Sequence, residues 1–383
     1  MWAALAFLGD GLSTLLLPAV LAGLPDPATS LGLLSFFGIG LAVVAMPVAG
    51  RLSDRLRDRL DRRAFMALAA IPALGGLAML AASGAAPWVV AAAYLVTMLS
   101  AAAIQASLQT LIPEHVPTTR RGRAASLKTA FDIGGAFVAF LVLGWALEAG
   151  GVRSGALAGG VVLAVALVIV LAWVPRPPRQ PAGVPDIGAG PVPSGFWPLV
   201  LSRFLFLLGI YVVGRFLLLL VADRLGLPAA SAAAETGGIL ATFTLLTAAT
   251  ALAFGPLVDR IGRRRVMVAG VVIGAAGTAL FVPDGGLLGV LVAGALMSVG
   301  TAGFVTGNWA ALTDLSRPED AGRLMGIANL GTGGAAACAG LLGPAIDTWG
   351  FTPALVLATV AVVVALAPLA RIIPLSRLEG SPT

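Results

Sequence analysis

The chain has 383 residues, of which 58% are hydrophobic and only 11% charged, with a mean hydropathy of +0.98. A water-soluble domain carries about a quarter of its residues charged, so lipid has to solvate most of this surface. The net charge of +6 does not point to nucleic acid, because the basic residues stand in short clusters between apolar runs and form no basic face. The one cysteine, Cys338, lies inside an apolar run, so neither a disulfide framework nor a metal set is expected, and no cofactor.

The first apolar run, 3–22, lacks the basic n-region of a secretory signal and carries Asp10, so it reads as a retained helix. Runs follow at 31–49, 64–82, 88–112, 124–147 and 155–174, each near the about 20 residues that cross a bilayer core. Pro25, Pro27, Pro87, Pro113 and Pro117 punctuate them. Residues 175–195 then hold seven prolines and no apolar period, which predicts an extended linker. Further runs come at 197–221, 232–254, 266–282, 287–312, 323–346 and 353–370. The pattern predicts an all-α integral membrane protein of 12 transmembrane helices: a six-helix bundle over 1–174, the linker, and a second bundle over 196–383.

Arginines cluster after every second run, at Arg51 to Arg63, Arg120 to Arg123, Arg176 and Arg179, Arg260 to Arg265, Arg317, and Arg371 and Arg377. The alternate loops hold only Arg153 and Arg224, so the basic loops and both termini are expected to be cytoplasmic. The halves also repeat. GRAASLKTAFDIGG (122–135) aligns with GRLMGIANLGTGGA (322–335), pairing Arg123 with Arg323 and, upstream, Glu114 with Asp314. GRLSDR (50–55) aligns with GPLVDR (255–260), pairing Asp54 with Asp259. Repeated halves imply a pseudo-two-fold axis along the membrane normal with a site between them.

The segment GPLVDRIGRRR (255–265) carries the loop motif G-x-L-x-D-R-x-G-R-R in full, and GRLSDRLRDRLDRR (50–63) keeps Gly50, Leu52, Asp54 and Arg55. With its spans, central linker and both motif positions, the sequence resembles the major facilitator superfamily over essentially its whole length. The resemblance implies that Asp54 meets the cytoplasmic start of helix 11 and Asp259 that of helix 5, where the macrodipole favours a negative charge. It further implies a cytoplasmic gate in which Arg55 and Arg260 reach acids such as Glu114 and Asp314, with Arg123 and Arg323 beside them. Arg57, Arg59, Arg62 and Arg63 read as topology signals alone. The subfamily is not assigned: GGAFVAFLVLG (134–144) has no proline where drug antiporters carry one, and PRPPR (175–179) lacks the acid of the sugar-porter motif.

Runs 3, 6, 9 and 12 contain no ionisable residue, as lipid-facing helices would. An ionisable group inside a span is costly and is a functional candidate by default. Asp10 and Asp132 stand at similar depth near the midplane, and Lys128 lies one turn from Asp132 on the same face, so these three are the proton-coupling candidates. Lys128 has a second reading, snorkelling to the surface, which is also expected for Arg203. Gln105, Gln109, Arg215, Asn308 and Asn329 are the substrate-binding candidates, with interhelical hydrogen bonding as the other reading of the glutamines.

The expected function is secondary active transport of a small organic solute across the inner (plasma) membrane by a monomer, coupled to protons through Asp10 and Asp132. An uncoupled facilitator, or a membrane-embedded lipid-handling or assembly protein on the same fold, are the alternatives. The spans show no Ser–His pair or catalytic motif, so an enzyme is not expected.

Overall fold

Hydrocarbon offers a backbone no hydrogen-bond partners, so an apolar chain must satisfy its own N–H and C=O groups, and a helix does so within one segment. A computed structural model describes residues 1–56, 59–82, 86–116, 121–173, 192–315 and 321–371; the side chains of 54, 112–115, 121–126 and 321–323 also lie outside the description. Among the described residues, all regular structure is helical. Helix α1 spans Trp2–Leu21, α2 Pro27–Arg55, α3 Arg62–Ala82, α4 Pro87–His115 and α5 Arg121–Trp173. Then come α6 (Phe196–Leu225), α7 (Ala229–Ile261), α8 (Arg263–Leu280) and α9 (Gly286–Asp314). Helix α10 passes from Ala321–Cys338 through a 3-10 turn at Ala339–Leu342 into Gly343–Trp349, and α11 covers Phe351–Ala370.

Local chemistry sets several boundaries. Pro27 and Pro87 open α2 and α4 at the position where a missing N–H costs nothing. The Ala64 N–H donates to Asp61 Oδ1 at 2.7 Å, so Asp61 caps α3. A single residue, Gly262, joins α7 to α8 at φ 91° and ψ 145°. A side chain at that φ would be strained, which gives the second glycine of the 255–265 motif a conformational reason.

Among the described residues, ten helical stretches are long and apolar enough to cross a membrane. One covers Leu127–Trp173 within α5, where helical geometry is lost at Gly150 (φ −150°, ψ 17°) and Gly151 (φ 64°, ψ −160°). Helix α8 opens on three arginines and is not among the ten. The helices formed by the third, sixth, ninth and twelfth apolar runs expose apolar side chains, among them Ile71, Val161, Val272 and Val360.

Two compact units form. The first comprises Met1–Ala182, Arg215–Leu245 and Gly340–Asp347, around a core that includes Leu8, Met66, Leu77, Ile104 and Leu163. Within it, the end of α10 lies against the start of α2 so closely that a Cβ on Gly32 would strike the Gly340 carbonyl oxygen. Seven residues further along α10, the Asp347 carboxylate accepts from the N–H groups of Ala28 (3.2 Å) and Thr29 (2.6 Å), two donors that α2 itself cannot satisfy. The second unit comprises Gly183–Gly214, Leu246–Ala339 and Thr348–Thr383. Its core includes Phe206 and Phe304, whose rings stack at 4.1 Å, together with Val271 and Leu312.

Candidate functional site

The site begins with an irregularity in α1. Residues Phe7–Leu16 are π-helical, so their hydrogen bonds run to the fifth residue on, and the Leu17 N–H reaches the Leu12 carbonyl. The next carbonyl, that of Ser13, is due a donor at position 18. That residue is Pro18, which has no N–H. The guanidinium of Arg215, from α6, takes the vacant place: its Nη1 donates to the Ser13 carbonyl at 3.1 Å, and the arginine is only 7% exposed. The Ser13 hydroxyl lies 3.3 Å from the hydroxyl of Tyr94 on α4.

Asp10 sits inside the π-helical stretch and is exposed. The charges that act on its carboxylate are Arg215 and Asp132. Its glycine neighbours differ. A Cβ at Gly9 would meet open space, as expected beside an accessible acid, whereas at Gly11 it would meet Leu143 and Ala139 of α5. Gly11 therefore serves helix packing, and only Gly9 leaves room at the acid.

Lys128 turns to an acid on its own helix. Its Nζ lies 2.7 Å from Asp132 Oδ2, one turn along α5, and 4.4 Å from the centre of the Trp2 ring. The first unit thus gathers two acids and two bases, Asp10 and Asp132 with Arg215 and Lys128. Of the glutamines on α4, Gln105 is half-buried and Gln109 exposed.

A second polar cluster lies in the second unit. Arg203 is 4% exposed, buried where snorkelling would leave its guanidinium in water. Its Nε donates to Thr332 Oγ1 at 2.7 Å, its Nη1 donates to Asn308 Oδ1 at 3.2 Å, and its guanidinium lies 4.5 Å from the centre of the Trp309 ring. Asn308, fully buried, donates through Nδ2 to the Leu199 carbonyl at 3.1 Å. Asn329, one turn before Thr332 on α10, is exposed.

At the motif segments, Arg55, Asp259 and Arg260 are exposed. Asp314 ion-pairs with Arg263 at 2.5 Å. The side chains of Asp54, Glu114, Arg123 and Arg323 fall outside the described residues. Arg62, read as a topology signal, is buried; it donates to Ser53 Oγ at 3.0 Å, and Ser53 Oγ also accepts from Ser107 at 3.1 Å. Arg63 donates to the Leu171 carbonyl at 2.7 Å. The sequence reading expected Arg203 to reach the surface and Arg62 to be a topology signal alone, and it did not single out Asp347. Pro18, five residues after Ser13, was the one local sign that a carbonyl in α1 needs an outside donor.

The sequence model of the Major Facilitator Superfamily matches residues 2–234 and again 199–382. No curated protein matches the chain. Among solved structures, a bacterial homologue of the human lysosomal transporter Spinster, inward-facing and occupied, is similar at 15% identity with a TM-score of 0.73, covering 100% of this chain and 98% of that one. A POT family transporter in complex with 5-aminolevulinic acid is similar at 13% identity and a TM-score of 0.71, covering 99% and 96%. A bacterial homologue of the iron transporter ferroportin, inward-facing, is similar at 17% identity and a TM-score of 0.67, covering 97% and 96%. At these identities the likeness is one of fold alone.

Proposed function

The chain belongs to the major facilitator superfamily, a family of transporters rather than enzymes, and from that premise we propose that it is a proton-coupled secondary active transporter of a small organic solute. The helices are taken as twelve crossings, by counting the two arms of α5 on either side of Gly150 and Gly151 separately and adding α8 to the ten apolar stretches. The arginine-rich joints are then cytoplasmic, as are both termini, in the inner (plasma) membrane. Transport is by alternating access, in a monomer, with the solute held at midplane depth.

The observation that carries the coupling is Asp10: an exposed carboxylate on a π-helical stretch of a membrane-spanning helix, with Arg215 and Asp132 as the charges that act on it. An acid in that setting binds a proton when the site faces the acidic side and releases it to water on the other, leaving a carboxylate that faces the Arg215 charge. Asp132, held by Lys128, is the second acid of the relay. Gln105, Gln109, Arg215, Asn308 and Asn329 remain the solute contacts of this reading, and Asp54, Arg55, Glu114, Arg123, Asp259, Arg260, Asp314 and Arg323 its cytoplasmic gate. On the opposite side, Asp347 on the start of α2 supplies the corresponding closure.

The test is uptake in proteoliposomes of solutes first selected by thermal shift from sugars, amino acids, organic anions and amphiphiles. An acid-outside pH gradient should drive accumulation, and a protonophore should collapse it. Accumulation indifferent to the gradient would exclude proton coupling.

A further inference from the structure

Arg203 is the one charged side chain inside a helical span of the second unit among the described residues. The others, such as Asp259, Asp314 and Arg371, stand at helix ends or in joints. It differs from Arg215, which has Asp10 within electrostatic reach. The hydrogen-bond partners of Arg203 are all neutral, Thr332 and Asn308, and no carboxylate pairs with it among the described residues. A buried cation with neutral partners is expensive, and such groups inside membrane spans mark where something of opposite charge passes.

The geometry around the guanidinium is arranged rather than loose. Asn308 Nδ2 is held by the Leu199 carbonyl, which fixes the amide so that Oδ1 faces Arg203. Thr332 holds Nε, and the Trp309 ring lies over the guanidinium. These bonds engage Nε and Nη1, while Nη2 makes no hydrogen bond among the described residues. The part of the fork left over is what pairs with two oxygens of a carboxylate or phosphate. Thr332 and Trp309 are each partly exposed, so the cluster opens outward through them, and exposed Asn329 stands one turn from Thr332 with a further donor.

We infer that Arg203, set by Thr332 and Asn308 and covered by Trp309, is the subsite for an anionic group, carboxylate or phosphate, on the transported solute. The inference rests on the transporter reading and adds a substrate class and a residue to it. The anion enters past Trp309, takes the Nη2 edge of the guanidinium, and neutralises a charge that no carboxylate among the described residues pairs.

The test has two arms. In the first, Thr332→Cys is made in a Cys338→Ser background, and formation of its mixed disulfide is timed with a sulfonate-bearing and with a trimethylammonium-bearing methanethiosulfonate reagent. The sulfonate should react at least about tenfold faster; Arg203→Gln should erase the preference and Arg203→Lys retain part of it. No charge preference at position 332 would overturn the inference. In the second, proteoliposome exchange is measured for lactate against lactamide, succinate against succinamide, and glucose 6-phosphate against glucose. The acidic member of a pair should exchange, with KM raised at least about tenfold in Arg203→Gln and kcat little changed; the pair that responds separates carboxylate from phosphate. Exchange of the neutral members with equal efficiency in the parent and in Arg203→Gln would overturn the inference while leaving the transporter reading intact. A charge preference at 332 without exchange of any solute would support the anion site and count against the transporter reading.

Discussion

Asp347 offers the sharpest test of the closure proposed at the start of α2. Its carboxylate accepts from the first two unsatisfied N–H groups of α2, at 3.2 and 2.6 Å, beside the close approach of Gly32 to Gly340. A negative charge at a helix N-terminus is worth about 0.3–1 kcal/mol, and up to about 2 kcal/mol where it is partly buried. Removing an acceptor that caps such donors costs about 0.5–2 kcal/mol. The two figures describe overlapping effects, so Asp347→Ala should weaken this contact by about 1–2 kcal/mol. That amounts to a factor of about 5–30 in an equilibrium that breaks it. Asp347→Asn, which keeps one acceptor and loses the charge, should give roughly half the free-energy effect. A cysteine at position 13, buried and next to the Arg215 contact, reports opening. With Cys338→Ser as background, its alkylation by an impermeant reagent from outside the cell should accelerate by that factor in Asp347→Ala. An unchanged rate together with an unchanged Tm would show that the Asp347 contact closes nothing.

Other expectations follow from single features. Cysteines at positions 59 and 284 should label from opposite faces, with 59 cytoplasmic; labelling from one face would end the twelve-crossing topology. Gly9→Ala should leave stability unchanged, since its Cβ meets open space, whereas Gly340→Ala should destabilise by about 1–3 kcal/mol because its Cβ would meet the Gly32 carbonyl; equal Tm values would contradict the packing. Pro18→Ala returns a backbone donor to the Ser13 carbonyl. Arg215→Ala, costing about 1–3 kcal/mol in the parent, should therefore become about 1 kcal/mol cheaper in that background, and strict additivity in the double-mutant cycle would refute the explanation of the Arg215 contact.

What the sequence made legible was whatever depends on short-range pattern. Apolar runs separated by prolines gave the helices, and the charge-free third, sixth, ninth and twelfth runs form helices with exposed apolar residues. The glycine of the 255–265 motif marked a joint that only positive φ can make. Asp132 and Lys128, four residues apart, were visible as a pair, though sequence could not choose between pairing and snorkelling. The remaining site residues depend on partners far along the chain. Arg215 meets a carbonyl 202 residues away, Arg203 meets Thr332 at 129, and Asp347 caps Thr29 at 318. Distance from a helix end suggests that an arginine can reach water, but burial is decided by what packs over it. For Arg203 that is Trp309, on another helix. The packing of Gly11 is hidden in the same way, since Leu143 and Ala139 reach it from α5.

Asp10→Asn keeps the shape of the side chain and removes its titration, so it separates coupling from binding. In proteoliposomes the variant should exchange solute at near the parent rate when pH is equal on both sides. It should fail to accumulate that solute under an acid-outside gradient that drives accumulation in the parent. Accumulation at the parent level in Asp10→Asn would contradict the assignment of the proton to Asp10.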